Sequence, residues 1–268
     1  MVNFYPDKEN FSGLFIFTKK IIMIEICANG IQSAFNAKKG GARRIELCSA
    51  LQKGGLTPGP STILLAREIP DFKVHVLIRP RGGDFLYTST ETDLIRKDIE
   101  YCRNAGCDGV VFGFLTQNGE IDQALTLEMV KLAAPMEVTF HRAFDLCRDP
   151  LTALEMLKET GIKRILTSGQ AATASDGIPL IRELVRRAGN KVIIMPGAGI
   201  NATNILEIAR QTGATEFHLS ATATRESKMT YRNQKVSMGG NHYIPEYAFT
   251  ESDTEKIREI VQLIDRLR

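Results

Sequence analysis

With 268 residues, 43% of them hydrophobic, the chain can bury a full core as one large domain or two small ones. Its net charge of +3 and pI near 8.6, with Lys and Arg scattered along the chain, give no basis for a nucleic-acid or membrane partner. Five cysteines, an odd number without a C-x-x-C pair, point to reduced thiols in a cytoplasmic protein and exclude a disulfide framework.

Residues 1–22 stand apart. Phe4, Tyr5, Phe11, Phe15 and Phe17 crowd a segment without periodicity, and Lys19-Lys20 follow its apolar centre where a signal peptide would carry them in front. The segment reads as an extension outside the domain, with the folded part, 23–268, beginning at Met23. From there the period switches repeatedly between two and 3.6. A strand over 24–27 (IEIC) leads to a helix over 31–39 stopped by Gly40-Gly41, and a near copy of the first strand, IELC, follows at 45–48. This is the pattern of a βαβ unit.

The alternation continues. A helix fits 61–69, a strand 73–79, a glycine-rich loop 80–85 and a helix 91–104. Next come a strand over 109–114, a helix over 123–133 and a strand over 136–141. A helix opens at Asp149-Pro150, with a good cap and proline in its first turn. Strands at 164–167, 192–195 and 216–220 alternate with helices at 177–188 and 201–213. A long loop over 221–250 then precedes a last helix over 253–267. About eight strand–helix repeats without a linker predict a single-domain (β/α)8 TIM barrel.

Strand parity assigns the interior. With Ile24, Ile26, Ile45 and Leu47 facing the helices, Glu25, Cys27, Glu46 and Cys48 share the opposite face. The same reading turns Arg79, His141, His218 and Ser220 inward. Helices on both faces of an open sheet would want apolar residues there, so a barrel with a polar mouth is favoured. Buried acids need partners, and Arg79, Arg81 or Arg142 are expected to supply them as an internal ion-pair network. Cys102, Cys107 and Cys147 sit at helix ends and read as packing. For Cys27 and Cys48 a site role and a core role both stay open. His75, low on its strand, reads as a core histidine.

The loops after the last three barrel strands carry Ser168-Gly169, Gly197-Ala198-Gly199 and Ser220-Ala221, backbone amides near helix N-termini where barrels commonly bind phosphate. With Arg79, Arg81, Asp84, Arg142 and Asp145 nearby, they form a candidate site for a small anionic or phosphorylated substrate. His141 with Glu25 or Glu46 would then act as acid and base in an isomerase, epimerase or lyase.

The stretches IEICA, RIELCSALQKGGLTP, IRPRGGDFLY, VTFHRAFD, RILTSGQ, GAGI and YRNQKVSMGG, spanning Met23 to about Gly240, resemble the CutC family of copper homeostasis proteins. The resemblance implies a cytoplasmic, homo-oligomeric TIM barrel (dimer or tetramer) associated with copper, with Cu(I) held by Cys27 and Cys48 and no organic cofactor. Soft thiolates suit monovalent copper.

Overall fold

In the computed structural model, residues 22–236 and 245–266 are described. The expected N-terminal extension lies outside them apart from Ile22, and so does the 237–240 end of YRNQKVSMGG. Eight parallel strands alternate with helices: β1 (Met23–Ala28), α1 (Ile31–Lys39), β2 (Arg44–Leu47), α2 (Pro60–Arg67), β3 (Lys73–Leu77), α3 (Ser89–Asn104), β4 (Gly109–Phe112) and α4 (Gln123–Ala133). Then follow β5 (Glu137–Phe140), α5 (Pro150–Lys158), β6 (Arg164–Thr167), α6 (Ile178–Ala188), β7 (Ile193–Pro196), α7 (Ile205–Thr212) and β8 (Glu216–Leu219). The ladder runs β7-β6-β5-β4-β3-β2-β1-β8, and β7 lies beside β8 to bring the ring nearly to closure. This is the (β/α)8 barrel that the repeats predict.

Local chemistry places the elements. Thr88 and Glu91 form a reciprocal capping box at the start of α3, and Asp149 accepts from the Leu151 and Thr152 amides at the start of α5. The helix expected from Asn201 begins only at Ile205, because the Asn204 side chain accepts from the Asn201 amide and the Asn201 side chain from the Thr203 amide in a turn of their own. On the outer face of the strands Ile26, Ile45, Val74, Val76, Val110, Phe112, Phe140, Ile165 and Phe217 are fully buried. Helical residues at spacings of three and four, such as Ile95, Ile99 and Cys102 of α3, cover them.

The expected loop over 221–250 contains secondary structure instead. Strands β9 (Thr222–Glu226) and β10 (Ala248–Ser252) pair antiparallel, with Thr224 opposite Thr250, and α8 (Thr254–Asp265) follows. Arg225 clamps the hairpin by donating to Glu251 at 3.0 Å and Asp253 at 2.9 Å. The two strands are far apart in sequence, and no tight-turn signal joins them. Ser252 of β10 takes the Ser33 hydroxyl as acceptor for its amide, which ties the hairpin to α1.

The lower half of the barrel is ionic, and its arginines are not the expected ones. Arg44 Nε donates to Glu25 Oε2 at 2.6 Å and Arg44 Nη2 to Glu216 Oε2 at 2.5 Å. Arg164 joins the same Glu216 oxygen at 3.0 Å and Glu137 at 2.8 Å. Arg79, Arg81 and Arg142 leave the strands too high to reach this layer and are engaged in loops. His75 lies in the layer, with Nδ1 3.6 Å from Glu25 and Nε2 3.8 Å from Glu137, and neither nitrogen has a hydrogen-bond partner. Burial, offset in part by Glu25, pushes its pKa down to about 4, so the ring is neutral. Gly109 makes room for it, since a Cβ there would stand 2.6 Å from the ring.

Two outcomes are expected. Arg44→Met should leave the buried Glu25 carboxylate without its guanidinium partner, lowering unfolding free energy in chemical denaturation by about 3–5 kcal/mol. His75 binds a proton in the unfolded chain but not in the folded one between its two pKa values. Wild type should therefore lose stability relative to His75→Leu as pH falls from about 6.5 to 4, by up to about 1.4 kcal/mol per pH unit, read from paired denaturation curves.

Candidate functional site

Above the ionic layer, Cys27 on β1 and Cys48 just past β2 meet inside the barrel. Their sulfurs are 3.7 Å apart, and both residues are buried. Parallel pairing sets Cys27 beside Glu46, and the Cys48 amide donates to the Ala28 carbonyl at 2.9 Å, continuing the ladder past the last strand residue. Leu77 and Val111 wall the thiols from β3 and β4, and Leu51 closes over them from a short 3-10 turn, Leu51–Lys53. That turn is made by backbone in the left-handed region at Ala50, Gly54 and Gly55, where a Cβ on Gly55 would press to 2.7 Å from Leu77.

His218 on β8 completes the cluster. Register places it beside Glu25, and its Nδ1 lies 2.9 Å from Glu25 Oε1. Its ring also stands near the Cys27 thiol. One donor atom each from Cys27, Glu46 and His218 lie within 4.8 Å of one another. Parity turns His218 inward but gives no hint that it joins Glu25, because β1 and β8 are neighbours only once the ring has closed.

The acids differ in charge state. Burial would raise the Glu25 carboxyl, but Arg44, His218 and His75 outweigh it and hold it well below the usual carboxylate range. Glu46 has no arginine. Burial pushes its pKa up to about 7, with His218 opposing and Glu25 adding to the rise, and its Oε2 has no hydrogen-bond partner. The hydrogen bond with Cys48, then burial, raises the Cys27 thiol well above its ordinary value. For His218 burial acts downward, but Glu46, Cys27 and Glu25 raise it well above the usual histidine value.

Most of the other predicted site residues bond within the chain. Arg79 donates to the carbonyls of Lys53 at 3.0 Å, Gly55 at 3.1 Å and Gly83 at 2.9 Å, and stacks on Phe85. Arg81 pairs with Asp84 at 2.9 Å and Glu91 at 2.6 Å. Arg142 pairs with Asp145 at 2.7 Å. The Asp145 carboxylate takes the Ser168 and Gln170 amides and the Thr167 hydroxyl, while the Gly169 amide donates to Thr167 Oγ1. The donors after β6 thus face a carboxylate belonging to the chain itself. The Gly197 amide donates to the Thr167 carbonyl, and the Gly199 carbonyl accepts from Asn204. Ser220 follows β8, half-buried. His141 follows β5, where its Nδ1 accepts from the Ala143 amide and so puts the proton on Nε2. That nitrogen has no partner, and burial together with Arg79 pushes the ring's pKa down to about 3. Glu25 and Glu46 are therefore joined to the thiols and His218, and His141 belongs to the neighbouring Arg79–Phe85 stack.

Relatives match over nearly the whole chain. A CutC family protein of Bacteroides thetaiotaomicron is 48% identical over 246 residues, covering 91% of this chain and 99% of its own length. A human protein named copper homeostasis protein cutC homolog is 44% identical over 238 residues, covering 89% of this chain and 87% of its own. The solved CutC structure from Streptococcus agalactiae superposes with a TM-score of 0.72 at 31% identity, covering 75% of this chain and 99% of that one. A thiamine phosphate pyrophosphorylase from Pyrococcus furiosus, at 13% identity and a TM-score of 0.56, shares the fold alone. The CutC family profile matches residues 22–223, strands β1 to β8 with every residue of the thiol cluster, and the chain belongs to the CutC family.

Proposed function

We propose that this protein binds monovalent copper in copper homeostasis, with Cys27 and Cys48 as the thiolate ligands. The observation that carries the reading is the 3.7 Å separation of two buried sulfurs on adjacent strands. Two metal–sulfur bonds of roughly 2.3 Å, the length typical of zinc thiolates, span such a gap with a bent geometry. Two soft donors in a pocket walled by Leu51, Leu77 and Val111 favour Cu(I) over harder ions and shield it from water and oxidants. The names of the relatives point the same way. Five cysteines held as free thiols fit the reducing cytoplasm, where Cu(I) is the stable form. A homo-oligomeric state belongs to the same reading by family resemblance.

Titration of the reduced protein against a chromogenic Cu(I) chelator tests it. Wild type should take up one Cu(I) per chain, and Cys27→Ser with Cys48→Ser should weaken that uptake on the order of a hundredfold or more. The control is Cys102→Ser with Cys107→Ser, which should leave affinity unchanged. Equal loss in both double variants would mean capture by any thiol and would remove the assignment.

A further inference from the structure

The thiol pair leaves part of the cluster without a task. Glu46 is buried with one carboxylate oxygen unpartnered, in a place where an apolar side chain would cost less. His218 reaches into the same space from the far side of β1. We propose that Cys27, Glu46 and His218 form a site for a divalent transition-metal ion of the zinc class, sharing Cys27 with the thiol pair but not requiring Cys48.

Distance supports the grouping. The three donor atoms lie within 4.8 Å of one another. Metal–donor bonds of roughly 2.0–2.3 Å put tetrahedral donors roughly 3.5 Å apart, so the set closes with movements of about 1 Å at each tip. The donors are one sulfur, one imidazole nitrogen and one carboxylate oxygen, a mixed set suited to zinc and to cobalt as its spectroscopic substitute. Charge supports it as well. A divalent ion with one thiolate and one carboxylate is neutral, whereas a monovalent ion between two thiolates leaves a buried negative charge.

The surroundings of His218 complete the argument. A metal-bound imidazole usually donates its second ring N–H to a carboxylate, which fixes ring orientation and tautomer. His218 Nδ1 stands 2.9 Å from Glu25 Oε1, and Glu25 is itself locked by Arg44 at 2.6 Å. The ionic layer thereby becomes the outer support of a metal ligand. Three protein ligands leave a fourth position for water or a substrate oxygen, the composition of zinc centres that perform hydrolysis or polarise a carbonyl. The site has only Cys27 in common with the copper reading, so loss of Cys48 tests the one and loss of Glu46 or His218 the other.

Co(II) added anaerobically to the reduced full-length protein is the probe. Wild type should show thiolate-to-cobalt charge-transfer absorption and tetrahedral ligand-field bands, saturating at one cobalt per chain. Cys48→Ser should keep both features while losing the Cu(I) affinity of the thiol pair. Glu46→Gln and His218→Gln should each weaken cobalt binding by about tenfold or more, and Glu46→Gln should leave Cu(I) uptake in place. If either fails to fold, as judged by circular dichroism, Glu46→Asp carries the same expectation, since it shortens the arm and keeps the charge. No charge-transfer band in the wild type overturns the proposal. So does a band that vanishes in Cys48→Ser and survives in Glu46→Gln, because cobalt would then sit on the two thiols.

Discussion

The bridge from Arg44 to Glu25 and Glu216 is the constraint on which the rest of the structure depends. It joins β1, β2 and β8, the strands whose meeting turns a ladder into a ring. Guanidinium groups suit this place because one planar fork can satisfy two carboxylates in different directions. Arg164 repeats the arrangement on the opposite wall, so Glu216 answers two cations while Glu25 keeps an oxygen for His218. A layer of aliphatic residues would fill the same volume, but it would hold no imidazole at a fixed angle beneath two thiols.

Buried charge also sets what the upper layer can be. Glu25 has Arg44 within reach and stays ionised; Glu46, two residues further along β2 than Arg44, has none and holds its proton far more readily. Two glutamates that look alike in the repeated IE motif therefore have different chemistry. The cause is their height in the barrel relative to a single guanidinium.

Much of the fold was legible in the sequence, since alternating periods and glycine stops are local signals. Strand parity turned Glu25, Cys27, Glu46 and Cys48 to one side. Parity also applies to Arg44, two residues before Glu46, and to Arg164, at the head of β6, but both stand at the start of their strands, away from the strand ends where a site is expected. The meeting of His218 with Glu25 was not legible, because it depends on ring closure between residues 193 positions apart. The hairpin of β9 and β10 escaped for a similar reason: its pairing is non-local, and its strands are polar and short. Asp145 was read as a candidate site residue and not as an internal tie, because a carboxylate in a loop advertises the one as readily as the other.

Asp145 fills the crown of the barrel near β6 with a negative charge of the chain's own, next to the loops after β7 and β8 where other barrels receive a phosphate. The loop after β6 is in this sense liganded from within. Cys27, Cys48, Glu46 and His218 lie away from that loop, on or just past β1, β2 and β8, where soft and protonatable groups line the interior. One carboxylate of the chain thus takes up the amides that a loop of this kind would otherwise offer to an outside anion.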